Sequence, residues 1–468
     1  MAVLNVLKRR SRVGQRTRIG LDIGASGIRA VQLTRQAQAD GPDGYVVTNA
    51  VCGDRPGTAG DRGGGLDSGV DSPNLNPQSL LLEDCLRRAN ARGKTVAVAL
   101  APPDVEFHTL ELPAAVFQAD GAEEEQIVRF EVERLMTRQA APVETRHWRL
   151  PQTSVPAPNA IGAGAAHEII NATIDVCAQA GLMCFDLDTT ATALSRFGAL
   201  LQSRPPDQVW GVLDVGDRQS RLVLCLEDTP VLVRTAGAGG RAWTQRIADA
   251  LQLSFKAAEI HKRDHGIALT GRALSLVRDR ILAPAVLAPA ADAGMRSELA
   301  SLILGAVRAD LNDLASEVKR SYEYVLSCYP GRQAADLVLC GGGSLLHHLP
   351  EFLGSALGIP VRRASSYLEG FPDAPEWILP DAPALEPIPE TELRPSARAP
   401  GAPGFHSARG SLRYRDRDLV ESSDPRSAGP TVAPCPPGLP GGCRLRFADG
   451  QHAPLEILAV AVGLAMTE

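Results

Sequence analysis

Three glycine-rich turns carry the residue types best suited to hold a polyanion. The first lies in IGLDIGASGIRAVQL and offers Asp22, Gly24, Ala25, Ser26 and Gly27. The second lies in VLDVGDRQSRLVLCL and offers Asp214, Gly216, Asp217 and Ser220. In both, a strand reaches an aspartate, and a glycine two positions later lets the backbone turn with its amides pointing into a cleft. Those N–H groups and a serine hydroxyl can bind phosphate oxygens with no Cβ in the way. The aspartate suits Mg2+ held through water, because that ion gives up its hydration shell reluctantly. Two such hairpins facing each other would grip a triphosphate from both sides.

The third turn, in LVLCGGGSLLHHLPEFL, offers Gly341, Gly342, Gly343 and Ser344. Three glycines allow the backbone to approach a flat, bulky group, and a helix starting near Ser344 would add its N-terminal dipole. A nucleoside seat is expected there. Each turn by itself is an ordinary tight turn. Their order and spacing, with helices in the intervals, carry the information.

The elements that position these turns are legible as strands and helices. Residues 19–33 read as strand, turn and returning strand, and VWGVLDVG, SRLVLCLED and TPVLVRTAG repeat that pattern from Val209. This internal echo matters more than either copy. Helices are expected over 79–92, over DGAEEEQIVRFEVERLMTRQA, over 167–181 and over much of Arg241–Cys328, with strands at TVAVAL, at Phe107–Leu112 and at AIGAGAA. In 310–327, Leu311, Leu314, Val318, Tyr322 and Val325 share one helical face. The final PLEILAVAVGLAM is strongly apolar, too short to span a membrane, and reads as a helix buried in the core.

Composition narrows the function. The chain has 468 residues, of which 44% are hydrophobic and 22% charged, as in a globular protein of several subdomains. Aromatics are only 4% and net charge is −6, so neither a base-stacking surface nor a general attraction to nucleic acid is expected. The nine cysteines are scattered with no Cys-x-x-Cys, and Cys435 and Cys443 lack a His cluster, which fits reduced thiols in a cytoplasmic protein rather than zinc. No apolar run is long enough to cross a bilayer. Lys8, Arg9, Arg10, Arg12, Arg16 and Arg18 precede any acid, which suits a solvated tail or a weak contact with anionic lipid. Residues 53–78 are Gly-, Asp- and Ser-rich, and fifteen of the 35 prolines fall between Phe371 and Pro440. Both stretches are expected to stay mobile.

The three turns resemble the two phosphate motifs and the adenosine motif of the actin/Hsp70/sugar-kinase superfamily. Within it, AGAGGRAWTQRIADALQLSFKAAEIHKRDHG, LNDLASEVKRSYEYV and the run from HTLELP through EEEQIVRFEVERL to AIGAGAA resemble the PilM family of type IV pilus assembly proteins and its FtsA relatives. The resemblance covers about residues 19–50, 79–365 and 453–466. It implies a two-lobed α/β actin/Hsp70-like (ribonuclease H-like) nucleotide-binding fold with an inserted small α/β subdomain. The implied divisions are a basic tail over 1–18, a first lobe over 19–93 and 176–206, and an inserted partner-binding subdomain over 94–175. The second lobe would take 207–240 and 329–370 with a helical subdomain over 241–328, followed by a Pro-rich insertion over 371–452 and a packed helix over 453–468.

The resemblance also implies roles. Asp22, Gly24, Ala25, Ser26, Gly216, Asp217 and Ser220 would face the phosphates of ATP, with Asp22 and Asp214 serving Mg2+. Gly239 and Gly240 would belong to the same site or shape a turn. Glu259 and Lys262 would contact ribose or form a plain helical pair, and Gly341, Gly342, Gly343 and Ser344 would sit beside the adenosine. Arg218 departs from the family's small residues in the second turn, where it would either hold a phosphate or block the site. No glutamine or acid stands where it would position attacking water, so at most a slow ATPase is expected. The implied function is a nucleotide-set scaffold that binds the cytoplasmic tail of an inner-membrane PilN-like protein, touching the membrane only through that partner. An extended tail is expected on a surface of Thr95–Leu100, the helix over 123–139 and the strand Ala160–Ala166, unless the subdomain self-associates instead. An FtsA-like filament protein is the alternative, although no Lys or Arg follows Arg446 to make a basic membrane helix. A small-molecule kinase would need a catalytic aspartate, and none is identifiable.

Overall fold

The computed structural model describes residues 15–36, 44–54, 77–89, 91–118, 121–137, 142–269, 290–367, 445–447 and 455–466. The tail call over 1–18 therefore lies outside it except for Gln15–Arg18, which begin a strand instead. Most of 53–78 and of 371–452 likewise lies outside the described residues.

The echo seen in the sequence extends to whole sheets. Strands β1 (Gln15–Ile23), β2 (Gly27–Gln36), β3 (Gly44–Asp54), β4 (Thr95–Leu100) and β8 (Met183–Thr189) lie in the order β3-β2-β1-β4-β8. Strands β9 (Gln208–Val215), β10 (Gln219–Leu226), β11 (Thr229–Ala238), β12 (Gln333–Cys340) and β13 (Val361–Arg363) lie in the order β11-β10-β9-β12-β13. In both sheets the first three strands form an antiparallel meander and the last two are added parallel to its first strand. The chain is thus two copies of one topology. Buried alternation drives each copy: Ile19 and Leu21 pair across the turn with the strand of Ile28 and Ala30, while β9 is apolar on both faces.

The first sheet gains β14 (Leu445–Phe447), which runs parallel to Tyr45–Val47 of β3. This corrects the expectation of a Pro-rich insertion without structure up to 452. Helices cover both sheets: α1 (Pro77–Ala89) and α3 (His167–Gln179) pack on the first, and α4 (Thr190–Leu201) lies between the two. Thr189 caps α4 by accepting a hydrogen bond from the amide of Thr192, and Ser254 does the same for α6 (Phe255–His265) at Ala257. Over 241–328 the described residues form α5 (Gly240–Leu251), α6 and a 39-residue helix, Ala290–Cys328. The last helix, Leu455–Ala465, is inserted in a shared core with Val31, Phe197, Trp210, Val223 and Val338 from both copies.

The inserted subdomain is smaller than expected. Its sheet, β5-β7-β6, comprises β5 (Glu106–Leu110), β7 (Ala160–Ala166) and β6 (Val143–Arg149), with α2 (Gly121–Leu135) on one face. Thr95–Leu100 is an interior strand of the first sheet, and α3 packs on that sheet too, so the boundaries at 94 and 175 move inward. Small residues in AIGAGAA admit α2 closely: a Cβ on Gly164 would stand 2.9 Å from Val132 Cγ1. Trp148 Nε1 donates to Pro230 O at 2.8 Å, which ties the subdomain to the second sheet.

Candidate functional site

The two phosphate-type turns fall at equivalent places, after β1 and after β9, and line one cleft. The Gly24 amide donates to Gly27 O at 2.9 Å and the Gly216 amide donates to Gln219 O at 3.2 Å, so both turns close with the same bond. Asp22 stands directly opposite Arg29 across its hairpin, and Asp214 opposite Arg221. Arg29 Nη1 lies 3.7 Å from Asp22 Oδ2, and its Nη2 donates to Ser26 Oγ at 2.7 Å. Arg221 Nη1 donates to Asp214 Oδ2 at 2.8 Å. Burial pushes the Asp22 carboxyl above the usual carboxylate range. Asp214 across the cleft pushes the same way, and Arg29 and Arg221 pull it back.

The third turn follows β12, so it lies beside β9 at the same end of the sheet. Gly341 takes φ +81°, a left-handed conformation that favours glycine, because its backbone passes against Asp214 and Val215. Gly342 faces open space, and Gly343 packs on Val215. The turn of the first copy equivalent to it, Ala101–Pro103 after β4, lines the cleft opposite. Gln219 Nε2 donates to Pro102 O at 2.6 Å and joins the two copies across the gap.

Several expected contacts are not brought to the cleft. Ser220 is fully buried and its hydroxyl donates to Ala238 O at 2.9 Å, because it lies on the inner face of β10. Ser344 is also fully buried and donates to Gly341 O at 2.7 Å. No α-helix starts there: Gly342–Leu345 is a single 3-10 turn, and the α-helix begins at Leu349. Gly239 packs against the second turn, donating its amide to Arg218 O at 3.1 Å, while the amides of Gly240 and Arg241 donate to Gly216 O and Asp217 O. The N-terminal amides of α5 are therefore spent on the turn. Gly24, Ala25, Ser26, Gly216, Asp217, Gly240 and Gly341–Gly343 do line the cleft, as do Asp22 and Asp214.

Glu259 and Lys262 line the cleft wall but are bound to each other. Lys262 Nζ donates to Gly240 O at 3.0 Å and Thr244 Oγ1 at 2.6 Å, and meets Glu259 Oε2 at 2.6 Å. All three ammonium protons are engaged, so Lys262 clamps α6 onto the start of α5. Burial pushes Glu259 up, but Lys262, Thr244 and Arg263 outweigh it and hold the carboxyl below its usual range.

A divalent ion fits the aspartates poorly. Each carboxylate already has a guanidinium opposite it in register. Direct ligation of Mg2+ by Asp22 or Asp214 would compete with these pairs.

The family model described as type IV pilus assembly protein PilM matches residues 20–270, more than half of the chain. The chain belongs to the PilM family. The matched stretch takes in the first two turns and the Glu259–Lys262 clamp, while Gly341–Gly343 lies beyond it. Among solved structures the chain is similar to the "PilM-PilN type IV pilus biogenesis complex", with 24% identity and a TM-score of 0.53, over 74% of this chain and 88% of that one. It is also similar to the ethanolamine utilization protein EutJ from Carboxydothermus hydrogenoformans, with 14% identity and a TM-score of 0.37, over 74% and 84%. A third is MreB 5 of Spiroplasma citri bound to AMPPNP, with 13% identity and a TM-score of 0.37, over 75% and 91%. No curated protein matches the chain. The fold of this PilM family member is that seen in the PilM-PilN complex. Among the described residues no helix is long and apolar enough to cross a membrane.

Proposed function

We propose that the chain is an ATP-binding scaffold of a type IV pilus assembly machine. It binds the cytoplasmic tail of a PilN-like inner-membrane protein, and through that tail sits at the membrane. The observation that carries the nucleotide half is the pair of equivalent hairpins facing one cleft, with a glycine turn at Gly341–Gly343 beside them. Phosphates would lie between the turns at Gly24–Ser26 and Gly216–Arg218, and the nucleoside against Gly342. The Gln219–Pro102 bond joins the two copies at the cleft floor, so occupancy there would set how far the lobes close. Family membership supports the partner half, as does the similarity to a complex that pairs PilM with PilN.

The inserted subdomain is the natural partner surface, but not through the strands first expected. Thr95–Leu100 and Ala160–Ala166 are each paired on both sides, so neither can accept an added strand. The edges of the inserted sheet are β5 and β6, and Phe130 on α2 leaves 65% of its surface exposed. A PilN-type tail peptide is expected to bind the full chain with a Kd of about 1 μM or tighter by calorimetry. Phe130→Asp should weaken it about tenfold or more, with an unchanged melting temperature. No binding to the wild-type chain would defeat the partner reading.

A further inference from the structure

We propose that the cleft holds its triphosphate through Arg29 and Arg221 and needs no divalent metal to do so. This inference rests on the reading that the cleft takes a nucleotide, and it concerns how the phosphate charge is met. The two copies of the hairpin share more than glycines. In each, an arginine seven positions after the aspartate lies directly across the hairpin from it and is paired to it: Asp22 with Arg29, Asp214 with Arg221. A pairing repeated in both copies of an internal duplication is a feature of the site rather than an accident of one strand.

Both arginines line the cleft. Arg221 donates from Nη1 to Asp214 and buries its Nε, while its Nη2 makes no hydrogen bond among the described residues. Arg29 is oriented at the first turn by Ser26 Oγ and Gly27 O. A planar guanidinium can bridge a carboxylate and a phosphate at once through its several donors. Two guanidiniums carry the charge of one divalent ion and, unlike Mg2+, meet phosphate without first shedding a tightly held water shell. Arg218 and Arg241 add positive charge on the same wall. A divalent ion bound directly to Asp22 or Asp214 would compete with the cross-strand arginine and then share the cleft with it.

The test is calorimetric titration of ATP into the full chain, once in buffer with Mg2+ and once with EDTA and no divalent ion. Affinities within about threefold of one another are expected, and a drop of about thirtyfold or more in EDTA overturns the inference. Arg221→Gln in EDTA should weaken binding at least about tenfold, and Mg2+ should restore part of the loss because Asp214 is then released. Arg29→Gln provides the same comparison should Arg221→Gln fail to melt cooperatively. Wild-type affinity in EDTA for both variants also overturns it. If wild-type protein binds ATP in neither buffer, the nucleotide reading itself fails and this inference falls with it, an outcome distinct from loss in EDTA alone.

Discussion

Gly463→Leu and Gly20→Val are each expected to destabilise the fold severely. A Cβ at Gly463 would overlap the carbonyl of Ala193 and lie 2.6 Å from its carbon. A Cβ at Gly20 would overlap the carbonyl oxygen of Ala461 and approach the amide of Ala465 to 2.5 Å. The obstacles are backbone atoms of α4 and of the last helix, which cannot rotate aside as a side chain could. Leu455 and residues 458–465 of that helix are buried, and all but Gly463 join the core shared by the two sheets. Ordinary overpacking costs about 1–3 kcal/mol, and with rigid obstacles a loss above about 4 kcal/mol is expected. Against a typical stability of about 5–15 kcal/mol, that removes from about a quarter to most of the margin. Gly305→Ala is the control. It lies exposed in the long helix with open space around it, and should gain about 0.5–1 kcal/mol. Urea unfolding followed by circular dichroism distinguishes these outcomes. A wild-type midpoint for Gly463→Leu would show that the last helix is not seated as described.

Gly342→Trp is expected to remove nucleotide binding while leaving the fold intact. Gly342 lines the cleft, has no left-handed φ to protect, and nothing stands near its missing Cβ. An indole there would fill the space between the third turn and the cleft. ATP affinity should fall more than about 100-fold, or about 2.7 kcal/mol, with the melting temperature of the free protein unchanged. Gly343→Trp is the less informative variant, because a Cβ at Gly343 already meets Val215 O at 3.0 Å and would disturb the second sheet. Unchanged affinity in Gly342→Trp would place the nucleoside elsewhere.

The hairpins, the echo and the last helix were legible because their signals are local. IGLDIG and VLDVG show strand and turn within a few residues, and LEILAVAVGLA is apolar on every face, as a helix enclosed by two sheets must be. What the sequence hid is non-local. TVAVAL and AIGAGAA read as strands, but their neighbours come from distant parts of the chain, so edge and centre could not be told apart. The unbroken burial of AIGAGAA, visible as a run of small apolar residues, was the available sign of a central strand. Strand β6, VETRHWR, was missed because His147 and Arg149 bind the buried Glu124 of α2, so a polar network stands where apolar alternation would announce a strand. Ser220 and Ser344 were misassigned because a serine at a turn satisfies a nearby carbonyl as readily as a ligand. The shared spacing of Arg29 and Arg221, each seven residues after an aspartate, is a sequence signal of the two cross-strand pairs.

Nucleotide in the cleft and tail on the inserted subdomain should be linked, because that subdomain is anchored to the second sheet by Trp148 and its packing partners. The most direct measurement is the affinity of a PilN-type tail peptide for the full chain, titrated with and without saturating ATP. A change of about fivefold or more is expected, corresponding to about 1 kcal/mol of coupling, and it should vanish in Gly342→Trp. Equal tail affinity in the two titrations, with ATP demonstrably bound, would contradict a scaffold set by nucleotide.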